Sequence, residues 1–307
     1  PGTFAPDQEL SAIADAMARA GRGVFEMIPA GTVGKLERLG GERTTPEAEV
    51  KLMADFSRQS GRKVTFTLVQ SPDYAPDTWE RLLEMVVTAN QTGAQLYPQV
   101  SSRPIGLASG LSGYHAFQRR PTYMKLAHLP LAERAREMAK PEIKAAIMSE
   151  TDVLVDQPGS MANMYQLFQT AAMFLYPLAD PVDYEPDPSE MLGSRAAATG
   201  QDVLDLLYDY LLEQDGAAMC ALMGGPNVHD SQEVLRQMLI HPETVTGLSD
   251  AGAHVTLICD ATMPTTQLTF WARDRHKGER LPLEFLVAKQ TARNADLYGL
   301  KDRGRLA

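Results

Sequence analysis

Helix-forming segments and short apolar runs follow one another at close spacing along most of this chain. That alternation narrows the folds open to it more than any other feature. Residues 7–20 carry Leu10, Ile13, Ala14 and Met17 at helical spacing and stop at Gly21; 24–28 is a short apolar run closed by Pro29. Thr45-Pro46 supplies an N-cap followed by a proline for the first helical position, predicting a helix over 45–60 that Gly61 ends. The β-branched and aromatic run 63–69 predicts a strand. Asp77, with Glu80 three residues on, reads as a capping box opening a helix over 77–90; Gly93 ends it and 94–100 is a strand. The region 101–200 is less regular, with a helix over 131–138, a short run at 152–155 and an acidic loop over 180–190. Order resumes with a helix over 202–214, a strand over 217–223, a helix over 230–240 and a strand over 244–249. Two closing helices follow, over 265–275 and 282–293.

Strands that alternate with helices through short links run parallel, because each helix carries the chain back across the sheet. Runs apolar on both faces fit strands covered on each side. The fold class is therefore α/β. Eight such units close a barrel, fewer leave an open sheet, and five or six are countable here. No GxGxxG and no GxxxxGK[ST] follows a strand, which removes the usual support for a nucleotide-binding open sheet. The reading is a (β/α)8 TIM barrel, incomplete in this chain, forming one domain over 1–307 with 101–200 as an insertion-rich region within it.

Composition sets the outer bounds. With 29 Lys+Arg against 39 Asp+Glu among 307 residues, the net charge is −10 and no block of cations is visible, so nucleic acid is a poor partner. No apolar window is long enough to span a bilayer. Cys220 and Cys259 lie in no metal-type spacing and read as reduced thiols of a cytoplasmic protein. The chain opens at Pro1 and closes at Arg305-Leu306-Ala307, and both ends read as cut. A homo-oligomer is compatible with all of this.

In a parallel architecture ligands bind beyond the C-terminal ends of the strands. The strand exits are 27–29, 70–72, 99–104, 224–230 and 249–254. In the last, Asp250 ends an apolar strand, small residues follow, and His254 comes four positions on. A carboxylate there can take a proton from water or ligate a cation, and the imidazole can hold substrate; the plainer alternative is a turn-capping aspartate beside a solvated histidine. Asn227 and His229 sit on the exit before it, where Asp230 reads equally well as an N-cap. Gln99 and Arg103 leave a strand together, and an arginine so placed could clamp a carboxylate. Cys259 reads as a core residue, His241 as a partner of a helix C-terminus, and Tyr97, Trp79 and Trp271 as packing residues. No GxSxG, HxH or HExxH occurs.

The stretch from Asn227 through His241-Pro242-Glu243-Thr244-Val245-Thr246-Gly247-Leu248-Ser249-Asp250-Ala251-Gly252-Ala253-His254 resembles the amidohydrolase superfamily, nearest to its D-aminoacylase-type N-acyl-D-amino-acid deacylases. The tail does too, in Arg280-Leu281-Pro282-Leu283-Glu284, in Lys289-Gln290-Thr291-Ala292-Arg293, and from Leu297 to Gly304; so does the opening Pro1-Gly2-Thr3-Phe4-Ala5. The resemblance is most specific over 227–304 and weak over 105–200. It implies a metal-dependent barrel carried with a small β-sandwich, lacking here its first strands and the sandwich. It also implies cleavage of a non-peptide C–N bond in an acylated small molecule. Asp250 would be the general base and one ligand of a divalent metal, zinc in this family, with the other ligands outside this chain. His254, Arg103, Asn227, His229 and Gln99 would contact substrate. Where family members show histidines on middle strands, this chain has Met27 and the run Leu68-Val69-Gln70, poor zinc ligands beside imidazole. That departure supports an alternative: a metal-free homologue acting as a ligand-binding or assembly subunit.

Overall fold

A computed structural model of the chain describes residues 6–29, 44–71, 74–157, 160–224, 231–250, 252 and 256–306. They form two compact units, one made of 1–104, 225–249 and 262–307, the other of 105–224 and 250–261.

The first unit opens with helix α1 (Asp7–Ala20), strand β1 (Val24–Met27), α2 (Pro46–Ser60), β2 (Lys63–Thr67), α3 (Thr78–Gln91) and β3 (Leu96–Val100). The predicted punctuation is largely in place. Thr45 Oγ1 accepts from Ala48 N at 3.1 Å at the start of α2, and Gly21 and Gly61 close α1 and α2 in the left-handed conformation. The capping box does not form: Asp77 makes no side-chain cap bond, and α3 begins at Thr78. Its backbone at φ −97°, ψ 4° is outside the extended region that lets an N-cap side chain turn back onto the helix.

The second unit inserts here. It contains β4 (Ile105–Gly110), α4 (Pro121–Leu126), α5 (Leu131–Met138), α6 (Pro141–Ser149), α7 (Tyr165–Thr170), β5 (Leu175–Pro177), α8 (Leu192–Thr199), α9 (Val203–Leu212) and β6 (Met219–Gly224). The chain then returns to the first unit with α10 (Glu233–Ile240), β7 (Val245–Thr246), α11 (Met263–Thr269), α12 (Leu283–Gln290) and α13 (Ala292–Tyr298). The single helix expected over 265–275 is instead α11 followed by a π-type turn over Phe270–Asp274. Among the described residues no helix is long and apolar enough to cross a membrane.

In the first unit the strands lie in the order β1-β2-β3-β7, all parallel. This is the α/β, barrel-type sheet expected from the alternation, and among the described residues it does not close. Period-two alternation separates its faces. Phe25, Val64, Phe66, Leu96 and Val100 point one way, and Phe25 stacks on Phe56 of α2 with ring centroids 4.1 Å apart. Full burial of a side chain such as Phe66 contributes roughly 1.5–3 kcal/mol. The opposite face carries Glu26, Lys63, Thr65, Thr67, Tyr97 and Gln99. There α13 meets the sheet. Lys63 Nζ donates to Asp296 O, and the Arg293 guanidinium lies 5.5 Å from the Tyr97 ring.

The second unit corrects one expectation. The strand predicted over 217–223 exists as β6, but it is the centre of an antiparallel sheet, β4-β6-β5, and not a further barrel strand. Residues 257–259 extend that sheet along β4, with Ala108 N donating to Leu257 O at 2.7 Å. A short apolar run does not encode its neighbour, so the sequence could not separate the two pairings. Around the sheet an apolar core gathers Phe117, Phe168, Leu175, Leu192, Leu207 and Tyr208. Both cysteines are free thiols, Cys220 buried and Cys259 exposed.

Candidate functional site

The C-terminal ends of β1, β2, β3 and β7 converge on one end of the parallel sheet, and polar side chains gather there. Gln99, near the end of β3, is buried, and its Nε2 donates to Glu26 Oε1 of β1 at 2.7 Å across the intervening β2. Gly247, the first residue after β7, bonds through its N to Val100 O at 3.2 Å. A Cβ on Gly247 would lie 2.3 Å from Gln99 Oε1, so only glycine lets the β7 exit approach the Gln99 amide this closely. The pair Glu26 and Gln99, with Gly247 against it, is the best-defined polar feature of the described strand ends.

Three residues beyond Gly247, Asp250 is exposed. Leu248 and Asp250 both have left-handed backbone, φ 67° and 43°, although neither is glycine. Such conformations cost roughly 1–3 kcal/mol each and cluster where a loop must aim a functional group. Arg103 is buried, and its guanidinium donates to Pro104 O at 2.7 Å and Thr262 Oγ1 at 3.1 Å, two acceptors of its own unit. Asn227, His229 and His254 lie outside the described residues, as does the Asp230 cap.

The other exits are structural. Gln70 is buried, donates to Ser71 O and Ala75 O at 2.9 and 3.0 Å, and accepts from Trp79 N at 3.1 Å, so its amide organises the turn into α3. Trp79 and Trp271 are packing residues as expected; Trp271 Nε1 donates to Ser102 O at 2.6 Å, holding the β3 exit against the π-type turn. His241 follows α10, as expected of a residue at a helix end. Its carbonyl accepts from Lys289 Nζ at 2.8 Å, and Thr244 Oγ1 accepts from the same amine at 2.9 Å. Burial, helped by the Arg293 charge, pushes the Lys289 amine down to about 7. In the second unit His115 is wholly buried and accepts from Phe117 N through Nδ1; burial and the Arg134 charge push it down to about 3, so it is a neutral core ring.

Among the described residues no three His, Cys, Asp or Glu side chains stand close enough to hold a metal ion. Asp250 is the candidate carboxylate at a strand exit, and one carboxylate is not a cage. The described donor set therefore does not fit a catalytic metal by itself. Sequence reasoning missed Glu26. Its signal was present, a single carboxylate inside the apolar run 24–28, but the strand order that brings it to Gln99 was not.

A family model described as the amidohydrolase family matches residues 2–307. No protein of curated function matches the sequence. Among solved structures, the chain is similar to N-acyl-D-glutamate deacylase from Bordetella bronchiseptica, in complex with zinc and a phosphonate inhibitor. The identity is 15%, with 100% of this chain and 48% of that one covered, at a TM-score of 0.46. It is also similar to a D-aminoacylase studied for its binuclear metal centre (12% identity, 97% and 47% covered, TM-score 0.43). A further D-aminoacylase structure matches at 14% identity, 97% and 47% covered, TM-score 0.42. The chain spans about half the length of these structures.

Proposed function

We propose, from the premise that this chain belongs to the amidohydrolase family, that it is part of an enzyme hydrolysing a non-peptide C–N bond in an acylated small molecule, such as an N-acyl-D-amino acid. In this reading the parallel unit is part of a barrel wall, and 101–200 is an insertion within one barrel domain. Asp250 is the general base. It accepts a proton as the water oxygen bonds to the acyl carbon, and returns it to the nitrogen as the C–N bond breaks, leaving acid and amine. His254 holds the substrate carbonyl, and Asn227, His229, Gln99 and Arg103 orient the substrate. Zinc or another divalent metal would take Asp250 as one ligand and its remaining ligands from outside this chain.

The observation that carries the reading is Asp250 itself, a carboxylate held on left-handed backbone just past the β7 exit. In the full-length protein, Asp250→Asn should lower the amide hydrolysis rate by about 10²-fold or more, as loss of a general base does. An unchanged rate would overturn the mechanism.

One observation favours a second reading, a metal-free homologue that binds a ligand or assembles with other subunits. Met27 and Gln70 stand at strand exits, and Gln70 spends its amide on its own loop. Metal analysis of the full-length protein separates the two. Near-stoichiometric zinc, manganese or iron supports the hydrolase; metal far below one ion per chain, with no activity restored by added metal, supports the binding subunit.

A further inference from the structure

Gln99 is more than nine-tenths buried, yet only one end of its side-chain amide is engaged. Nε2 donates to Glu26 Oε1 at 2.7 Å, and Oε1 accepts no hydrogen bond from a described residue. The pairing fixes which end is which. An ionised carboxylate offers lone pairs only, so an amide beside it turns its nitrogen to the carboxylate and its oxygen away. Charge assistance strengthens that bond, and a reversed amide would set two oxygens against each other. The hydroxyl next to Glu26 on the same face is already spent, since Thr65 Oγ1 donates to Tyr97 O at 2.8 Å.

Glycine at 247 leaves the free oxygen uncovered, because a Cβ there would overlap Gln99 Oε1 and cap it. The oxygen is not sealed either. Thr246 Oγ1 and Asn294 Oδ1 are wholly enclosed without partners, and Gln99 Oε1 is not among such atoms of the described residues. The result is an acceptor at the strand exits with a buried stem, a fixed direction and no described donor. Native folds leave few such groups unpaired, so this one calls for a donor from outside.

We propose that Glu26 is a positioning residue that presents Gln99 Oε1 to the N–H of the scissile amide, so that the enzyme takes secondary amides; the inference rests on the hydrolase reading above. An N-acyl amino acid carries a carbonyl, a carboxylate and one N–H. The first two are acceptors and repel Oε1; only the N–H pairs with it. Esters and tertiary amides lack that hydrogen and leave the acceptor unpaired, which is how a hydrogen-bonding site rejects an analogue.

The test compares N-acetyl-D-alanine with O-acetyl-D-lactate, which has the same shape with oxygen in place of N–H, on the full-length protein. The readout is the ratio of kcat/KM, amide over ester. Glu26→Ala and Gln99→Met should each lower that ratio at least about tenfold, the loss of one hydrogen bond. Glu26→Gln keeps an acceptor for Nε2 and should recover part of it. Glu26 is exposed, so its truncation spares the core. An unchanged ratio in Glu26→Ala, with or without an equal loss on both compounds, overturns the proposal, because a merely structural role slows both alike. If the wild type hydrolyses neither compound, the hydrolase reading fails and binding decides. In ligand-observed NMR titrations the amide should then bind the wild type at least about tenfold more tightly than the ester, and Gln99→Met should bind both alike. Equal or absent binding in the wild type overturns the proposal.

Discussion

The two units solve the same packing problem with opposite chemistry. In the antiparallel unit the cluster around the sheet is apolar, and burial disfavours the charged form of two titratable groups there. His115 is held neutral by burial, and the Cys220 thiol is pushed up to about 12 by the same cause. In the parallel unit one sheet face is apolar, but the other carries Glu26, Thr65, Thr67 and Gln99, and Ser102, Thr246 and Ser249 at the β3 and β7 exits lie beside Gln267, Gln290 and Asn294 of α11 to α13. Strands that run the same way bring all their C-terminal ends to one place, so side chains distant in sequence can meet there. Antiparallel neighbours split their ends between two edges and gather no such cluster. The difference gathers polar side chains from distant segments at one end of the parallel sheet.

The sharpest way to break that contrast is to cut into the antiparallel core. Phe168→Ala should cost about 3–5 kcal/mol in urea unfolding, because Phe168 is fully buried in its apolar cluster. A loss below about 1 kcal/mol would mean that this unit is not held by its core. In the parallel unit Gly247→Ala should cost about 1–3 kcal/mol through the clash with the Gln99 amide, and Gln99→Ala in the same chain should recover most of it. Additive losses in the double variant would show that the close approach of Gly247 to Gln99 is wrong.

Lys289 offers a pH-dependent test of how the parallel unit is held. Its amine is lowered to about 7 when folded, against 10.5 for the free side chain. Between those values the unfolded chain binds the more protons, so stability should rise with pH, by up to about 1.4 kcal/mol per pH unit. Burial also lowers His241, whose window lies below 6.5, while the raised Cys220 acts only above 9. Unfolding measured between pH 7 and 8.5 isolates the lysine, and Lys289→Met should flatten the slope. An equal slope in wild type and variant would remove Lys289 as its source. The smallest effects concern helix ends: Thr45→Ala should cost about 1 kcal/mol, since its side chain caps α2, and Asp77→Ala less than about 0.5. Equal losses would mean that Asp77 caps α3 in solution.

How far the sequence reached depends on the range of the interaction that decides each feature. The helix over Asp7–Ala20 and the helix over Leu131–Met138 follow their predicted limits, because apolar spacing and terminal residues are local. The strand at 219–224 was visible, but its partners were not. Strands β4 and β5 fell in a stretch that looked irregular because neither has a helix of its own at short spacing. At the site, Asp250 and Gln99 were legible from their places after apolar runs. Glu26 was not, for nothing near it in sequence says that β1 and β3 flank the same central strand.

By itself, then, the sequence determined the alternation of elements, the parallel run of the first three strands and the shortage of cations. Each of these is written within a few residues. Only the tertiary structure decided that β6 turns antiparallel inside a separate unit. It alone brought Glu26 to Gln99 across β2. Those outcomes depend on which segments become neighbours, and the free energy that selects neighbours comes from burying whole faces at once, which no short stretch of chain contains.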